Sequence, residues 1–266
     1  MPPRTLKLTI SYDGTGFVGW QRQAEGVSIQ GLLEGALTRV TGGPVTLHGA
    51  GRTDAGVHAL GQVASAHVDT GLPVDVLARA MNACLPPAVR VLCVEDATED
   101  FHARFHAHSK MYRYVIRNAR IVSPFERAYV WHISEPLEHS WMQDGANCLV
   151  GRHDFAAFCG AGSEVRDTMR TITRSIVVTG RMPFGPPCEP DSVHPASERE
   201  SLIVFEISGD GFLRHMVRAI VGTLVDVGRG RRPAASIPAL LSGGRRAEAG
   251  ATSPPQGLFL VRVDYD

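Results

Sequence analysis

Strand-type and helix-type patterns interleave along the whole chain, and that interleaving limits the possible folds more than any other feature of the sequence. Leu6-Lys7-Leu8-Thr9-Ile10-Ser11-Tyr12 alternates apolar and polar residues as a half-buried strand does, and Asp13-Gly14 ends it. Ser28 suits the N-cap of a helix over 29–40, where Ile29, Leu32, Leu33, Ala36, Leu37 and Val40 form an apolar stripe and Gly42-Gly43 supplies the stop. Strand patterns follow at 62–68 and 89–94, with a helix expected between them over 74–85, closed by Pro86-Pro87. Further on, 137–150 reads as a helix, 171–179 and 202–208 as strands, 212–227 as a helix and 258–263 as a last strand. Each half thus combines strands with two helices. The pattern predicts an α+β protein of two related lobes, residues 1–105 and 106–266, each a mixed or antiparallel sheet covered by helices. A cleft between such lobes is the expected ligand site. Residues 181–199 hold five prolines and few apolar side chains, and read as a flexible insertion in the second lobe.

The chemistry is expected in residues 49–59, Gly49-Ala50-Gly51-Arg52-Thr53-Asp54-Ala55-Gly56-Val57-His58-Ala59, where three glycines in eight residues permit close approach to a ligand. The loop offers one carboxylate, Asp54, beside one guanidinium, Arg52. Local sequence leaves two readings open, because an aspartate in such a loop can simply bond its own backbone in a turn. Upstream, Gly14-Thr15-Gly16-Phe17-Val18-Gly19 matches the dinucleotide fingerprint as a string, with Glu34 at about the right distance. That fingerprint needs a helix to open at the glycines. Here Trp20-Gln21-Arg22-Gln23 and Gly26 intervene before Ser28, so a tight turn is expected instead of a cofactor site.

Read as one strand, residues 101–114 place His102, Arg104, His106, His108, Lys110, Tyr112 and Tyr114 on one face and Phe101, Ala103, Phe105, Ala107 and Met111 on the other. The cations beside tyrosines suit RNA phosphates and a stacked unpaired base, while a solvated basic edge is the plain alternative. A metal site on these histidines, or on His48, Asp54 and His58, lacks a recognisable zinc spacing and would put a cation next to Arg104 and Lys110. Phe212-Leu213-Arg214-His215-Met216-Val217-Arg218 adds two arginines expected on one face of a helix. No serine or cysteine triad signature and no redox fingerprint accompanies them.

Composition sets outer bounds. Hydrophobic content of 44% and charged content of 20% are those of an ordinary globular protein, and no run approaches the roughly 20 apolar residues that span a bilayer. The first residues enter a strand pattern without the apolar core of a secretion signal, so a cytoplasmic location is expected and no membrane partner. Five scattered cysteines, with no Cys-x-x-Cys, argue against a disulfide framework or zinc ribbon. A formal net charge of zero argues mildly against a nucleic-acid partner, although nearly all cations are arginines, which suit phosphate.

Taken together, these strings closely resemble the tRNA pseudouridine synthase A family. The likeness rests on Tyr12-Asp13-Gly14-Thr15-Gly16-Phe17-Val18-Gly19-Trp20-Gln21, on Gly51-Arg52-Thr53-Asp54-Ala55-Gly56-Val57-His58-Ala59, on Lys110-Met111-Tyr112-Arg113-Tyr114, on His153-Asp154-Phe155, and on the segment from Phe212 to Gly222, all in the family's order. The proline-rich insertion departs from the compact family pattern. The resemblance implies the pseudouridine synthase fold and an isomerase that converts uridine to pseudouridine at positions 38, 39 and 40 of the tRNA anticodon stem-loop. It implies a homodimer with no cofactor, no metal and no DNA partner. It also implies that Asp54 is the catalytic carboxylate, that Arg52 helps displace the target base, that Tyr112 contacts the uracil, and that Arg218 is the ion partner of Asp54. Two other functions fit the residues alone: a non-catalytic RNA-binding protein using the basic strand, and a metal-dependent phosphoesterase built on His48, Asp54 and His58.

Overall fold

The computed structural model describes residues 3–160, 162, 167–180 and 201–265. In chain order the elements are β1 (Arg4–Tyr12), α1 (Ile29–Thr41), β2 (His48–Gly49), β3 (His58–Val68), α2 (Val74–Cys84), β4 (Val89–Ala97), β5 (Ser109–Asn118), β6 (Trp131–Ile133), α3 (His139–Asn147), β7 (Gly151–Asp154), β8 (Met169–Gly180), β9 (Ser201–Gly209), α4 (Met216–Gly228), α5 (Ile237–Leu240) and β10 (Leu258–Asp264). They fall into two compact units, one of Met1–Met111 with Phe259–Asp266 and the other of Tyr112–Leu258. The architecture is α+β, with mixed sheets and helices in both units, as the pattern predicts.

In the first unit β1 lies between β4 and β3, antiparallel to both, and β10 joins the far side of β3 in parallel through Phe259 opposite His58 and Leu260 opposite Ala59. The short β2 adds antiparallel to β3 at His48 and Gly49. Alternation in β1 does what it predicts: Leu6, Leu8 and Ile10 are fully buried. A register shift between Ile10 and Tyr12 against β3 re-aims Tyr12 at the end of the sheet. Helix α1 begins where Ser28 Oγ accepts from the Gly31 N–H at 3.2 Å and ends at Gly42, whose φ of 83° suits glycine alone. Its buried Glu34 is not a ligand group in waiting. Glu34 Oε1 accepts from the Leu47 N–H at 2.9 Å and from Gln30 Nε2 at 3.2 Å, while Oε2 lies 3.2 Å from Arg22 Nε, so the carboxylate ties the helix to the segment entering β2.

In the second unit β8 lies antiparallel between β7 and β9, β5 lies beside β9, and β6 runs parallel to β5. Arg113 of β5 and Glu206 of β9 join across the strands through two guanidinium hydrogen bonds of 2.9 and 2.6 Å. The core is organised by α4, which is buried around nearly its whole circumference, Val221, Leu224 and Val225 included. Gly222 permits this: a β-carbon there would stand 1.7 Å from the Ala251 carbonyl oxygen.

Two expectations fail. Residues 101–107 are not strand; the paired strand begins only at Ser109. The Phe105 and His106 amides both close onto the His102 carbonyl at 3.2 and 3.1 Å, while Ala103 donates to Ser65 Oγ at 3.1 Å and accepts from the Tyr265 hydroxyl at 2.6 Å. Local and long-range bonds thus use the backbone groups a ladder would need, and Phe105, expected on an apolar face, is 72% exposed. The helix expected over 212–227 starts four residues late, at Met216. His215 adopts φ 60°, and the Arg214 carbonyl, which in the expected helix would accept from the Arg218 N–H, instead accepts from the Gly160 N–H at 2.8 Å. Arg214 therefore precedes the helix, and the two arginines do not share a helical face. The insertion read over 181–199 lies outside the described residues.

Candidate active site

Residues 50–57 join β2 to β3, and each part of this loop is tied down. The Ala50 N–H donates to the Val63 carbonyl at 2.8 Å, Gln62 Nε2 donates to the Gly51 carbonyl at 2.9 Å, and the Trp20 N–H donates to the Thr53 carbonyl at 3.0 Å. A tight turn from the Val57 N–H to the Asp54 carbonyl, 3.1 Å, closes the far end, with Gly56 at φ 75°. The segment that resembled a nucleotide fingerprint presses directly on this loop. A β-carbon on Gly14 would stand 2.1 Å from the Val57 carbonyl oxygen, and one on Gly19 would stand 2.6 Å from the Thr53 oxygen. Phe17 turns back to the Gly14 carbonyl at 3.1 Å, so the segment is the expected tight turn, and its glycines serve close backbone packing.

Asp54 is half-buried and Arg52 is exposed, two residues apart on the same fixed backbone. A second cation stands nearby: Lys110 Nζ lies 3.6 Å from where a β-carbon on Gly51 would be. His58, fully buried, stacks on Phe259 with centroids 4.7 Å apart, and its Nδ1 accepts from the Gly14 N–H at 3.0 Å. His48 packs on His102 at 5.1 Å. Among the described residues no three His, Cys, Asp or Glu side chains are disposed to hold a metal ion.

Beneath the loop the Tyr12 hydroxyl and Thr53 Oγ1 are 2.8 Å apart, both buried. Burial pushes the Tyr12 phenol up to about 12, against the opposing pull of hydrogen bonds to Thr53 and Gln62. A raised phenol favours the fold in its neutral form. Its contribution is complete below pH 10, the ordinary tyrosine value, and is lost as pH rises through about 12, on the order of 2–3 kcal/mol in all. Burial also raises Tyr114 and Tyr265. Urea midpoints should therefore fall steeply between pH 10 and 12, and Tyr12→Phe should flatten part of that fall. An unchanged slope in the variant would show that the Tyr12 phenol ionises as freely folded as unfolded.

The second unit holds the other two residues singled out in the sequence. Tyr112, at the start of that unit, is nearly buried and meets the Phe212 ring edge-on at 4.9 Å. Arg218, in the first turn of α4, donates from Nε to the Ser253 carbonyl at 2.8 Å, and the Ser253 N–H donates back to the Arg218 carbonyl at 3.1 Å. A guanidinium fixed at Nε presents its remaining donors in one direction. Sequence reasoning missed His215, the one non-glycine residue at positive φ among those described. Such strain concentrates at functional sites, and Gly160, where a β-carbon would stand 2.6 Å from His215 Nδ1, makes room for it.

A family profile described as tRNA pseudouridine synthase matches residues 8–106 and 146–266. The chain belongs to the tRNA pseudouridine synthase family. These are isomerases acting on uridine in tRNA, and the curated relatives agree over full length. The tRNA pseudouridine synthase A of Pelobacter propionicus is 44% identical over 98% of this chain and 100% of its own. Those of Syntrophotalea carbinolica, 42% identical, and Myxococcus xanthus, 43% identical, also align with 98% of this chain, and with 96% and 91% of their own. Among the described residues no helix is long and apolar enough to cross a membrane.

Proposed function

We propose that this synthase converts uridine to pseudouridine at positions 38, 39 and 40 of the tRNA anticodon stem-loop, with the Asp54 carboxylate as the reacting group. The observation that carries this reading is a half-buried carboxylate on a loop hydrogen-bonded at Ala50, Gly51, Thr53 and Val57, with Arg52 in the open beside it. The isomerisation breaks the bond from C1′ to N1, turns the uracil and forms a bond from C1′ to C5, whose hydrogen leaves as a proton while N1 gains one. No atoms are added overall, so neither a group donor nor a redox cofactor is required. The task suits an ionised carboxylate held in place, acting as nucleophile or base.

A stacked uridine is out of reach and must be turned out of the helix. We assign Arg52 to the gap it leaves, Tyr112 to the uracil face, and Arg218 to the role of ion partner that keeps Asp54 charged. Arg52→Ala should lose about thirtyfold in kcat/KM, roughly 2 kcal/mol, and lose less on a stem-loop whose target uridine is already mispaired. Equal losses on paired and mispaired substrates would remove Arg52 from base displacement. Working as a cytoplasmic homodimer completes the proposal, and light scattering that finds a stable monomer would remove the dimer from it. Mapping pseudouridine in an unmodified tRNA with uridine at all three positions tests the site assignment: product should appear at 38, 39 and 40, and product elsewhere would overturn it.

A further inference from the structure

The turn at residues 101–107 carries a cluster to which the proposed reaction assigns no role. Ala103 anchors it through the Ser65 and Tyr265 bonds, and beside this fixed point three rings form a row with an exposed ring, His48 or Phe105, at each end. His48 meets His102 at 5.1 Å with 33° between planes, and His102 meets Phe105 at 4.3 Å and 32°. The Arg104 guanidinium carbon caps the series 5.8 Å from the Phe105 centroid. Phe105 is 72% exposed, an unusual cost for a phenyl ring on a backbone pinned at its neighbour, and solvent covers its outer face. Burial, then the His48 charge, holds the His102 imidazole below its ordinary value, leaving a neutral, stackable ring at pH 7. The charges here are mixed. Asp100, hydrogen-bonded to Thr98, lies close enough to His106 to feel its charge, so phosphate attraction alone does not explain the surface.

We propose that Phe105 and His102 form a platform on which an unpaired tRNA base stacks, with Arg104 taking a phosphate of the same strand. The inference rests on the proposed tRNA substrate and concerns the turn at 101–107, which packs beside the Asp54 loop through Ala103 against Ala50. Aromatic rings stack any base through its π-face, and a flanking guanidinium supplies the backbone contact, which is the pairing of features this turn presents. An exposed phenyl meant for a protein partner would be expected among aliphatic neighbours; here the ring meets an imidazole and a guanidinium.

The test uses unmodified tRNA and the full chain. Phe105→Ala should raise the tRNA KM about tenfold, the effect of losing one base stack, with a smaller change in kcat. Phe105→Trp should keep the parental KM, and its added fluorescence should be quenched by tRNA. Phe125→Ala removes a still more exposed ring, 89% against 72%, from an unrelated turn and serves as the control. A parental KM in Phe105→Ala, an equal rise in Phe125→Ala, or no quenching in Phe105→Trp would each overturn the platform. Should the parent form no pseudouridine, the proposed activity fails by itself. Dissociation constants and quenching, which need no turnover, still decide whether a base stacks on Phe105.

Discussion

Asp54→Asn protein should release no tritium from tRNA carrying uridine labelled at C5, while the parent releases it without added metal or cofactor. Replacing the carboxylate by an amide keeps the shape of the side chain and removes its charge and basicity, so the expected loss of turnover is at least about 10⁴-fold. Binding should change little, because affinity for tRNA comes from many phosphate contacts that this substitution leaves alone. Asp54 sits in a loop whose backbone is bonded at four places, and an isosteric change leaves those bonds intact. Tritium release at more than a few per cent of the parental rate would remove Asp54 from the chemistry. Full tRNA binding with no release by the parent would return the protein to the class of RNA-binding proteins.

The second large effect is expected from a single methyl group outside the loop. Gly14→Ala would place a β-carbon 2.1 Å from the Val57 carbonyl oxygen and 2.6 Å from its carbon, both backbone atoms that cannot swing aside. The turn from Asp54 to Val57 must then move as a unit. We expect a stability loss of about 3 kcal/mol, a melting temperature lower by roughly 6–12 °C, and a fall in single-turnover rate of about 10²-fold from misplacement of the carboxylate. Gly16→Ala is the comparison: its φ of 79° strains any side chain, but nothing lies within 4 Å of the new atom. It should cost about 1–2 kcal/mol and leave the rate nearly parental. If both variants melt and turn over alike, close packing of residues 13–20 is not what fixes the Asp54 loop.

The comparison of these glycines shows where sequence reading succeeds. Helix α1 was legible because its signals are local: a serine whose hydroxyl caps Gly31, an apolar stripe, and a glycine that takes a left-handed φ. The Asp54 loop was legible for the same reason, as a run of glycines around a carboxylate and a guanidinium. The function of Gly14 and Gly19 was only half legible. Their string announces a turn, but the backbone pressed against them belongs to residues 53–57, some forty positions away. The turn at 101–107 defeated the alternation rule because Ser65 and Tyr265, remote on either side, satisfy the Ala103 amide and carbonyl. Helix α4 began late because a distant glycine, Gly160, claimed the Arg214 carbonyl. Periodicity reports which side of an element wants burial; it does not report which remote group takes a given backbone bond.

The strand that leaves the Asp54 loop is finished from the far end of the sequence. Phe259 lies against His58, and Leu260 runs beside Ala59, so β10 completes the first unit only after every residue of the second has been made. During synthesis the Asp54 loop waits, with the His58–Ala59 end of β3 lacking its β10 partner, while the intervening residues emerge. Folding of the first unit therefore cannot finish in the order in which the ribosome delivers it. A polypeptide halted anywhere before Phe259 exposes an unpaired edge beside the loop instead of yielding a partly working enzyme.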